Sequence, residues 1–495
     1  MPASAMLQAV LVIPLAAAAI LALIPSYRWS AGLTMLASAL TLFAASWLVF
    51  DRPILDHPGL NHPVLDHPAP GSLLFVDDLN IVFLVLGAFV GFTSSLFSAG
   101  YIAHELRIGR LVARDVRFYH AMLQLMTFGM NLALAANNIG LMWAALELAT
   151  LATVLMVGLY RTRAAIEAAW KYLILGSVGI ALALFGTILV YLAAGDVLGA
   201  GGDAMAWTTL LAAAPRFDPH LLTLAFVFLL IGYGTKIGLV PMHAWLPDAH
   251  AEGPTPVSAV LSGLLLNVAL YALLRFKMIL AANPAAIAPG PLMQILGLLS
   301  VLFAAFMLYR RRDIKRLFAY SSIEHMGIMV FAFGLAGPLA NFAGLLQMVF
   351  HSLTKSAIFF TVGHIAQVKG SQRLADIGGL TVTHPLLGWS LVAGVAAIAG
   401  LPPFGIFMSE FLLLGATIDR APILAGVLGL GLLVAFGALL MRLHSLAFGA
   451  PRGPAGPITA SIVPLAAHLL LMLAAGIWLP PPLVAWLQHV ARMLG

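Results

Sequence analysis

The sequence LAFVFLLIGYGTKIGLV (residues 224–240) is followed at once by PMHAWLPDAHAEGPTP (residues 241–256). The first part is an apolar run with a single charge, Lys236, and the second part is broken by prolines. A charged side chain near the middle of a membrane span costs about 2.5–3.5 kcal/mol on insertion scales, and such residues usually have a function. The stretch therefore predicts a membrane helix that breaks beside an ion-carrying lysine.

The composition extends this interpretation to the whole chain. Of its 495 residues, 62% are hydrophobic and 9% are charged, and the mean hydropathy is +1.01. These values are typical of an integral membrane protein and exclude an ordinary soluble enzyme. The positive charges lie in short loops, where they indicate insertion topology, and no basic patch predicts binding to nucleic acid. Because the chain has no cysteine, we expect no cofactor in it, and any redox chemistry should belong to partner subunits.

A helix needs about 20 apolar residues to cross the hydrocarbon core, and on this scale the sequence divides into about fourteen spans. We therefore predict an all-α polytopic membrane protein, whose first span is a retained helix because no basic segment precedes it. The spans are predicted near residues 6–25, 31–50, 79–100, 119–136, 139–159, 168–194, 221–246, 256–280, 291–309, 317–337, 341–367, 386–418, 421–447 and 457–479.

Lysines and arginines are distributed unequally between the two sides of such a bundle. Most of them lie in loops that follow odd-numbered spans, above all in residues 107–117 and 310–316, whereas the opposite loops hold most aspartates. Positive loops stay in the cytoplasm. We therefore expect a multi-pass protein of the inner (plasma) membrane with both termini on the outer, periplasmic side.

A few ionisable residues lie within the predicted spans, and they are the candidate ion carriers. Glu147, Lys236 and Glu410 lie deepest, and structural ion pairing is the alternative explanation for them. Lys171 lies at the start of the sixth span, where a lysine that extends to the membrane surface needs no function. Glu324 has a similar position near the start of the tenth span.

Histidines and one further lysine complete the candidate set. His325 lies in the tenth span, and His351 and Lys355 lie in the eleventh. His351 and Lys355 are four residues apart and therefore share one face of a helix. His364 is expected at a helix end without a function.

Two spans are broken in matching ways. The seventh carries Lys236 and then Pro241, and the twelfth carries Pro402, Pro403 and then Glu410. Proline frees a backbone carbonyl, which is tolerated in a membrane only inside protein or beside water. The two broken spans, the seventh and the twelfth, are five positions apart in the order of spans. Because an odd offset inverts the direction in which a helix crosses the membrane, helices 4–8 and 9–13 are predicted to form an inverted repeat. The predicted units are residues 1–117 (helices 1–3), 118–280 (first repeat), 281–447 (second repeat) and 448–495 (helix 14).

Two further patterns resemble functional motifs but have simpler explanations. The glycines of GYGTKIG (residues 232–238) follow no strand, so close helix packing is favoured over a nucleotide loop. The loop LDHPGLNHPVLDHP (residues 55–68) repeats His-Pro, but its prolines make it extended and its histidines have no fixed convergence. Neither pattern predicts a binding site.

Four strings carry a resemblance that covers almost the whole chain: GYGTKIGLVPMHAWLPDAHAEGPTPVSAVLSG, YSSIEHMG, FHSLTKSAIFF and GLPPFGIFMSEF. They resemble the antiporter-like membrane subunits of respiratory complex I, Mrp-type cation/proton antiporters and group 4 membrane-bound hydrogenases. Within that superfamily, YSSIEHMG with HSLTKS and SGLLLN is most similar to component F of hydrogenase-4, a subunit of formate hydrogenlyase-type complexes.

The resemblance implies a fourteen-helix fold with two inverted five-helix bundles, each forming a half-channel for ions. It implies that Glu147 and Lys236 form a switchable ion pair and that Glu410 exchanges protons with the opposite side. His325, His351 and Lys355 would connect them. The implied partners are other membrane subunits and a peripheral hydrogenase or dehydrogenase module.

One position departs from this pattern. Several relatives have a lysine or histidine in the middle of the eighth helix, where this chain has Asn267, and an amide cannot store a proton. The link would then run through water, Ser258, Ser262 and Asn267, or pass directly to the histidines and Lys355.

Several alternatives remain open at the level of sequence. The transported ion is H+ or Na+, and the complex is a group 4 hydrogenase, an NADH-quinone oxidoreductase (complex I) or an Mrp-type antiporter. A haem- or quinone-binding membrane cytochrome is the alternative from another class, because intramembrane histidines can ligate iron.

Overall fold

The computed structural model describes residues 3–24, 26–50 and 72–495. This part of the chain is helical, and its only β-structure consists of isolated bridges. The His-Pro repeat of residues 55–68 lies outside the described residues.

The described residues form twenty α-helices, here numbered in chain order. They are α1 (Ala3–Leu21), α2 (Tyr27–Phe50), α3 (Asp78–Arg107), α4 (Ala113–Ala135), α5 (Ile139–Val157), α6 (Arg163–Leu198), α7 (Trp207–Ala213), α8 (Pro219–Ile237), α9 (Leu246–Glu252), α10 (Thr255–Val260), α11 (Leu266–Ala281), α12 (Gly290–Leu308), α13 (Ile314–Leu335), α14 (Pro338–Lys369), α15 (Leu380–Thr383), α16 (Pro385–Ile398), α17 (Gly405–Arg420), α18 (Pro422–Leu443), α19 (Val463–Ile477) and α20 (Pro481–Met493).

The predicted all-α polytopic membrane fold is confirmed, whereas the count of fourteen spans is not. Within the described residues, eleven helical segments are long and apolar enough to cross a membrane, and twelve if the bent pair α19 and α20 forms one span. Three predicted spans miss this standard for physical reasons. Helix α4 carries polar side chains along its length, including His120, Gln124 and Asn131. The twelfth span is split into the short helices α16 and α17, and α19 has only 15 residues.

The centre of the protein is formed by the segment α10 to α11 and by α13 and α14. The most apolar windows of these segments are 100%, 100% and 94% buried, whereas that of α18 at the edge is 33% buried. Polar side chains on the central helices therefore face other helices and not lipid. Most of the candidate ion carriers lie in or against this centre.

The two predicted breaks are present, and both begin with a left-handed glycine. Gly238 (φ 84°) follows the end of α8, and Gly400 (φ 65°) follows the end of α16 by two residues. A residue with a Cβ is strained in this region of backbone space, whereas glycine is not. After each break the chain resumes as a new helix, α9 at Leu246 and α17 at Gly405.

Close packing of α6 against α8 explains the glycines near Lys236. A Cβ on Gly232 would lie 2.5 Å from the backbone nitrogen of Ala183, and a Cβ on Gly179 would lie 2.6 Å from Cβ of Thr235. The backbones approach closely because neither glycine has a side chain. The packing explanation of the GYGTKIG pattern therefore holds at Gly232.

Two basic residues, Arg275 and Lys277, lie in α11 and are buried inside the protein. Arg275 forms a paired contact of 2.7 Å with each carboxylate oxygen of Asp77, and its guanidinium lies over the rings of Trp207 and Tyr271. A planar guanidinium suits this combination of bidentate pairing and stacking.

Candidate functional site

The first element of the candidate site is a buried ion pair between α8 and α5. The ammonium nitrogen of Lys236 lies 3.0 Å from Oε2 of Glu147. The lysine side chain is 4% exposed and the glutamate side chain is 18% exposed. The structure thus brings together the two residues that the sequence predicted as partners.

Local structure fixes the position of Lys236. It is the penultimate residue of α8, directly before the break at Gly238. Gly176 of α6 leaves room for the ammonium group, because a Cβ there would lie 3.2 Å from the lysine nitrogen. The indole of Trp245 donates to the carbonyl of Thr235 at 2.8 Å and satisfies one of the acceptors at the end of the helix.

Lys171 lies in a separate, exposed network. Its ammonium group contacts Glu167 at 2.8 Å and Asp248 at 3.1 Å, and its side chain is 47% exposed. Asp248 also pairs with Arg316 at 3.1 Å. The network connects α6, α9 and α13. The structure does not bring Lys171 into the buried cluster, so its proposed part in ion transfer stays a prediction.

His250 is a buried histidine that sequence reasoning did not select. It lies in α9, after the first break, and both of its ring nitrogens are buried without a hydrogen-bond partner among the described residues. Its ring stacks on Phe359 of α14 at a centroid distance of 4.8 Å. The sequence feature that could have identified it is its position in the proline-broken stretch, four residues before Pro254.

A polar stripe runs along α14 from His250 towards Glu410. Gln347, His351, Lys355 and Phe359 repeat every four residues and therefore share one face. Twelve residues of helix correspond to about 18 Å. All four side chains are buried, so the stripe forms a path of this length inside the protein.

The middle of the stripe holds Lys355, His351 and Glu324. Lys355 is fully buried and donates to the carbonyl of Phe318 at 2.9 Å. Both ring nitrogens of His351, and one carboxylate oxygen of Glu324, have no partner among the described residues. Glu324 is 3% exposed, so it lies deeper than its position near the start of a predicted span suggested.

The far end of the stripe connects to Glu410. His325 lies next to His351, with ring centroids 5.7 Å apart, and its Nδ1 lies 2.7 Å from the amide nitrogen of Gln347. The same Nδ1 lies 4.0 Å from a carboxylate oxygen of Glu410. The hydroxyl of Ser409 donates to the Gln347 carbonyl oxygen. His325, His351, Lys355 and Glu410 therefore belong to one cluster.

Asn267 lies beside the stripe and not within it. Its amide nitrogen donates to the carbonyl of Met348 at 3.0 Å and to the hydroxyl of Ser352 at 2.8 Å. The preceding segment Leu261–Leu265 is a π-helix, a local widening that is frequent at functional sites. Asn267 thus fixes α11 against α14 at the level of the stripe.

The donor set of the described residues does not favour a metal centre. No group of three or more histidine, aspartate or glutamate side chains there is arranged to hold a metal ion. What the arrangement offers is a row of buried proton donors and acceptors, in which His325 lies 2.7 Å from Gln347 and 4.0 Å from Glu410. Such a row suits proton transfer.

Comparison with known proteins gives the chain a family. The family model described as NADH:quinone oxidoreductase/Mrp antiporter, TM, matches residues 136–435. The protein described as "Hydrogenase-4 component F homolog" from Methylacidiphilum infernorum is 57% identical over 486 residues, which cover 98% of this chain and 99% of the relative.

Solved structures show the same fold at lower sequence identity. A chain of the archaeal membrane-bound sulfane sulfur reductase superposes with a TM-score of 0.86 at 21% identity, covering 99% of this chain and 97% of the other. A chain of the Mrp complex from Dietzia sp. gives a TM-score of 0.83 at 21% identity, covering 99% and 96%. The chain belongs to the family of antiporter-like membrane subunits that serve NADH:quinone oxidoreductases, Mrp antiporters and group 4 hydrogenases.

Proposed function

We propose that this chain moves protons across the membrane as a non-redox subunit of a redox-driven complex of the group 4 membrane-bound hydrogenase or formate hydrogenlyase type. The observation that carries the proposal is the buried pair of Lys236 and Glu147, which lies beside a helix break. The relative named hydrogenase-4 component F supports the type of complex.

Charge coupling within this pair provides a loading step. Two opposite charges about 4 Å apart attract each other by about 4 kcal/mol at an effective dielectric of about 20. Movement of the Glu147 carboxylate away from Lys236 removes this attraction and favours release of the lysine proton. The partial exposure of Glu147 and the break after α8 leave room for such a movement.

The released proton would follow the polar row of the central helices. From Lys236 it passes by way of His250 to Lys355 and His351, and from there to His325 and Glu410. Buried polar atoms without a protein partner, as in His250 and His351, are usually satisfied by ordered water. We therefore expect water to complete the path between the side chains.

The matching breaks after α8 and α16 support an exchange of protons with opposite sides of the membrane. We assign residues 118–280 and 281–447 to two inverted repeats, preceded by residues 1–117 and followed by residues 448–495. An inverted repeat places its two half-channels in opposite orientations. The distribution of arginine and lysine supports a cytoplasmic position for the loop of residues 310–316 and a periplasmic position for both termini.

The partners and the ion follow from the same chemistry. We propose that other membrane subunits and a peripheral hydrogenase module supply the driving force, because a chain without cysteine cannot hold an iron–sulfur cluster by itself. Protons are favoured over Na+ because His351 and Lys355 of the stripe carry titratable nitrogens, whereas Na+ is coordinated by oxygen ligands. A subunit of complex I or of an Mrp antiporter would use the same residues. Membership of this family favours proton transfer over a haem- or quinone-binding cytochrome.

The path can be tested at its far end in the assembled complex. Glu410→Gln, reconstituted in proteoliposomes with a pH-sensitive dye inside, is expected to reduce proton translocation per redox turnover by at least tenfold, about 1.4 kcal/mol in the barrier. The amide keeps the shape of the carboxylate but cannot take up a proton.

The matched control is Asp419→Asn on the same helix, because Asp419 is exposed at the end of α17. This control should translocate protons as the unmodified complex does. Equal translocation by Glu410→Gln and Asp419→Asn would contradict the proposed path.

A further inference from the structure

A large cavity opens on the side of the bundle where α12 ends, and arginines form most of its wall. Its volume is about 1220 Å³, and seven arginines line it. They come from the turn between α12 and α13, the first turn of α13, the segment after α14, the end of α18 and the loop that follows. Insertion topology explains why arginines lie on one side of a membrane protein, but it does not require them to meet at one cavity.

Three of the seven arginines have structural partners. Arg316 pairs with Asp248 at 3.1 Å. Arg311 and Arg442 donate to backbone carbonyls at the end of α12, at 3.1 Å and 2.5 Å. Cations are favoured at the C-terminal end of a helix, where the carbonyls lack helical partners. These three arginines stabilise the fold without any ligand.

The other four arginines have no structural partner of this kind. The side chains of Arg310, Arg312, Arg373 and Arg452 make no hydrogen bond or ion pair with any of the described residues. The carboxylate in the cavity wall, Asp313, accepts a backbone N–H at the start of α13. Four unpaired guanidinium groups around one cavity repel each other, and a bound anion would remove this cost.

Backbone hydrogen bonds hold the walls of the cavity together. The N–H of Leu374 donates to the carbonyl of Arg312 at 2.9 Å, which joins the segment after α14 to the α12 to α13 turn. The N–H of Arg452 donates to the carbonyl of Gly378 at 3.3 Å. The backbone segments that carry the arginines are therefore joined around the cavity, while the side chains of Arg310, Arg312, Arg373 and Arg452 are exposed to solvent.

An exposed apolar surface leads away from the cavity along α12 and α18. The Tyr309 ring lies against Gly437 of α18, where a Cβ would be 2.9 Å from the tyrosine hydroxyl. Phe306, one turn before Tyr309, is 56% exposed, and Met441, one turn after Gly437, is 50% exposed. A basic cavity thus adjoins a surface suited to hydrocarbon chains.

We propose that this cavity binds the phosphate headgroup of an anionic phospholipid whose acyl chains lie along α12 and α18. Guanidinium groups match phosphate oxygens in geometry and charge, and basic pockets between membrane helices are suited to such headgroups. An acidic peptide would match the arginines but would leave the adjoining apolar surface unused. The site is independent of the proton path, since none of the residues of that path lines it.

The test measures lipid binding to the purified full-length chain by native mass spectrometry in detergent. Cardiolipin and phosphatidylglycerol are the anionic probes, and phosphatidylcholine is the zwitterionic reference. We expect the anionic probes to bind preferentially and R310Q/R312Q/R373Q to lower their affinity on the order of a hundredfold, because each arginine contributes about a factor of five. R310K/R312K/R373K should retain most of the affinity, since it keeps the charges.

The matched control is R107Q/R114Q/R163Q, which removes three exposed arginines from the same side of the protein outside the cavity. It should bind the anionic probes as the unmodified chain does, and the melting temperatures of both glutamine variants show whether they fold. Equal affinity of the two glutamine variants, or equal binding of phosphatidylcholine, would overturn the proposal. Displacement of the lipid by an equal concentration of inorganic phosphate would overturn it as well, because the ligand would then be a soluble anion.

Discussion

Lys236 and Glu147 are 89 positions apart in the chain, yet the lysine nitrogen lies 3.0 Å from a carboxylate oxygen inside the protein. Moving both charges out of water costs about as much as their attraction returns, so stability alone does not explain such a pair. The pair lies beside the break after α8, where apolar side chains would avoid the cost of burying two charges. A role in proton transfer explains both its presence and its place.

Removal of one member of this pair should destabilise the protein more than removal of both. Glu147→Gln leaves the Lys236 ammonium buried without a counter-charge, at a cost of about 3–5 kcal/mol in a typical protein. Glu147→Gln/Lys236→Met removes both charges and should recover most of the loss in thermal unfolding of the detergent-solubilised chain. If the double variant were as unstable as the sum of the two single variants, the residues would not be coupled.

The close approach of α6 and α8 should control the position of Lys236. Gly179→Ala places a Cβ against Thr235, the neighbour of Lys236, and overpacking of this kind costs about 1–3 kcal/mol. Both the melting temperature and proton translocation should fall. Gly195→Ala lies on the same helix, and its Cβ would contact nothing within 4 Å, so it should be neutral or slightly stabilising. A similar loss in both variants would contradict packing against Thr235 as the cause, because alanine favours a helix more than glycine does.

Asn267 should affect the speed of proton transfer without being a proton carrier. Asn267→Leu removes the donors to Met348 and Ser352, and we expect about tenfold slower translocation per redox turnover, equal to about 1.4 kcal/mol. Asn341→Leu is the control, because Asn341 is also buried but donates to the carbonyl of Ala491 outside the stripe. Unchanged translocation in Asn267→Leu would show that this residue does not influence proton transfer along the stripe.

The Arg275 and Asp77 contact should be a purely structural clamp. Arg275→Met leaves the Asp77 carboxylate without its guanidinium, and loss of one partner of a buried pair typically costs about 3–5 kcal/mol. The variant should unfold at a lower temperature, while the complexes that still assemble should translocate protons normally. A loss of translocation in folded, fully assembled complexes would give Arg275 a part in the proton path.

Hydropathy was sufficient to predict most of this fold, because each membrane helix must satisfy its own backbone. It could not predict the exact number of spans, since short or broken helices such as α16 and α19 depend on their neighbours for burial. The sharp bend between α19 and α20, 84°, was likewise not evident before the structure.

Some residues of the candidate site were predicted from the sequence, and others were not. The pairing of Lys236 with Glu147 and the proximity of His325 to His351 followed from the resemblance and are present as contacts. The burial of Arg275 was not predicted, because its partner Asp77 lies 198 positions away. His250 and the depth of Glu324 were missed for the same reason, since only the assembled helices show which polar side chains face the centre.

The most direct test of the account is the number of protons translocated per electron pair by the assembled complex when it carries Lys236→Met. We expect the proton contribution of this subunit to disappear, because methionine fills the space of lysine but cannot carry a proton. Lys277→Met is the control, since Lys277 is also buried but donates to the carbonyl of Leu494 outside the path, and it should leave the number unchanged. An unchanged number of protons in Lys236→Met would contradict the account.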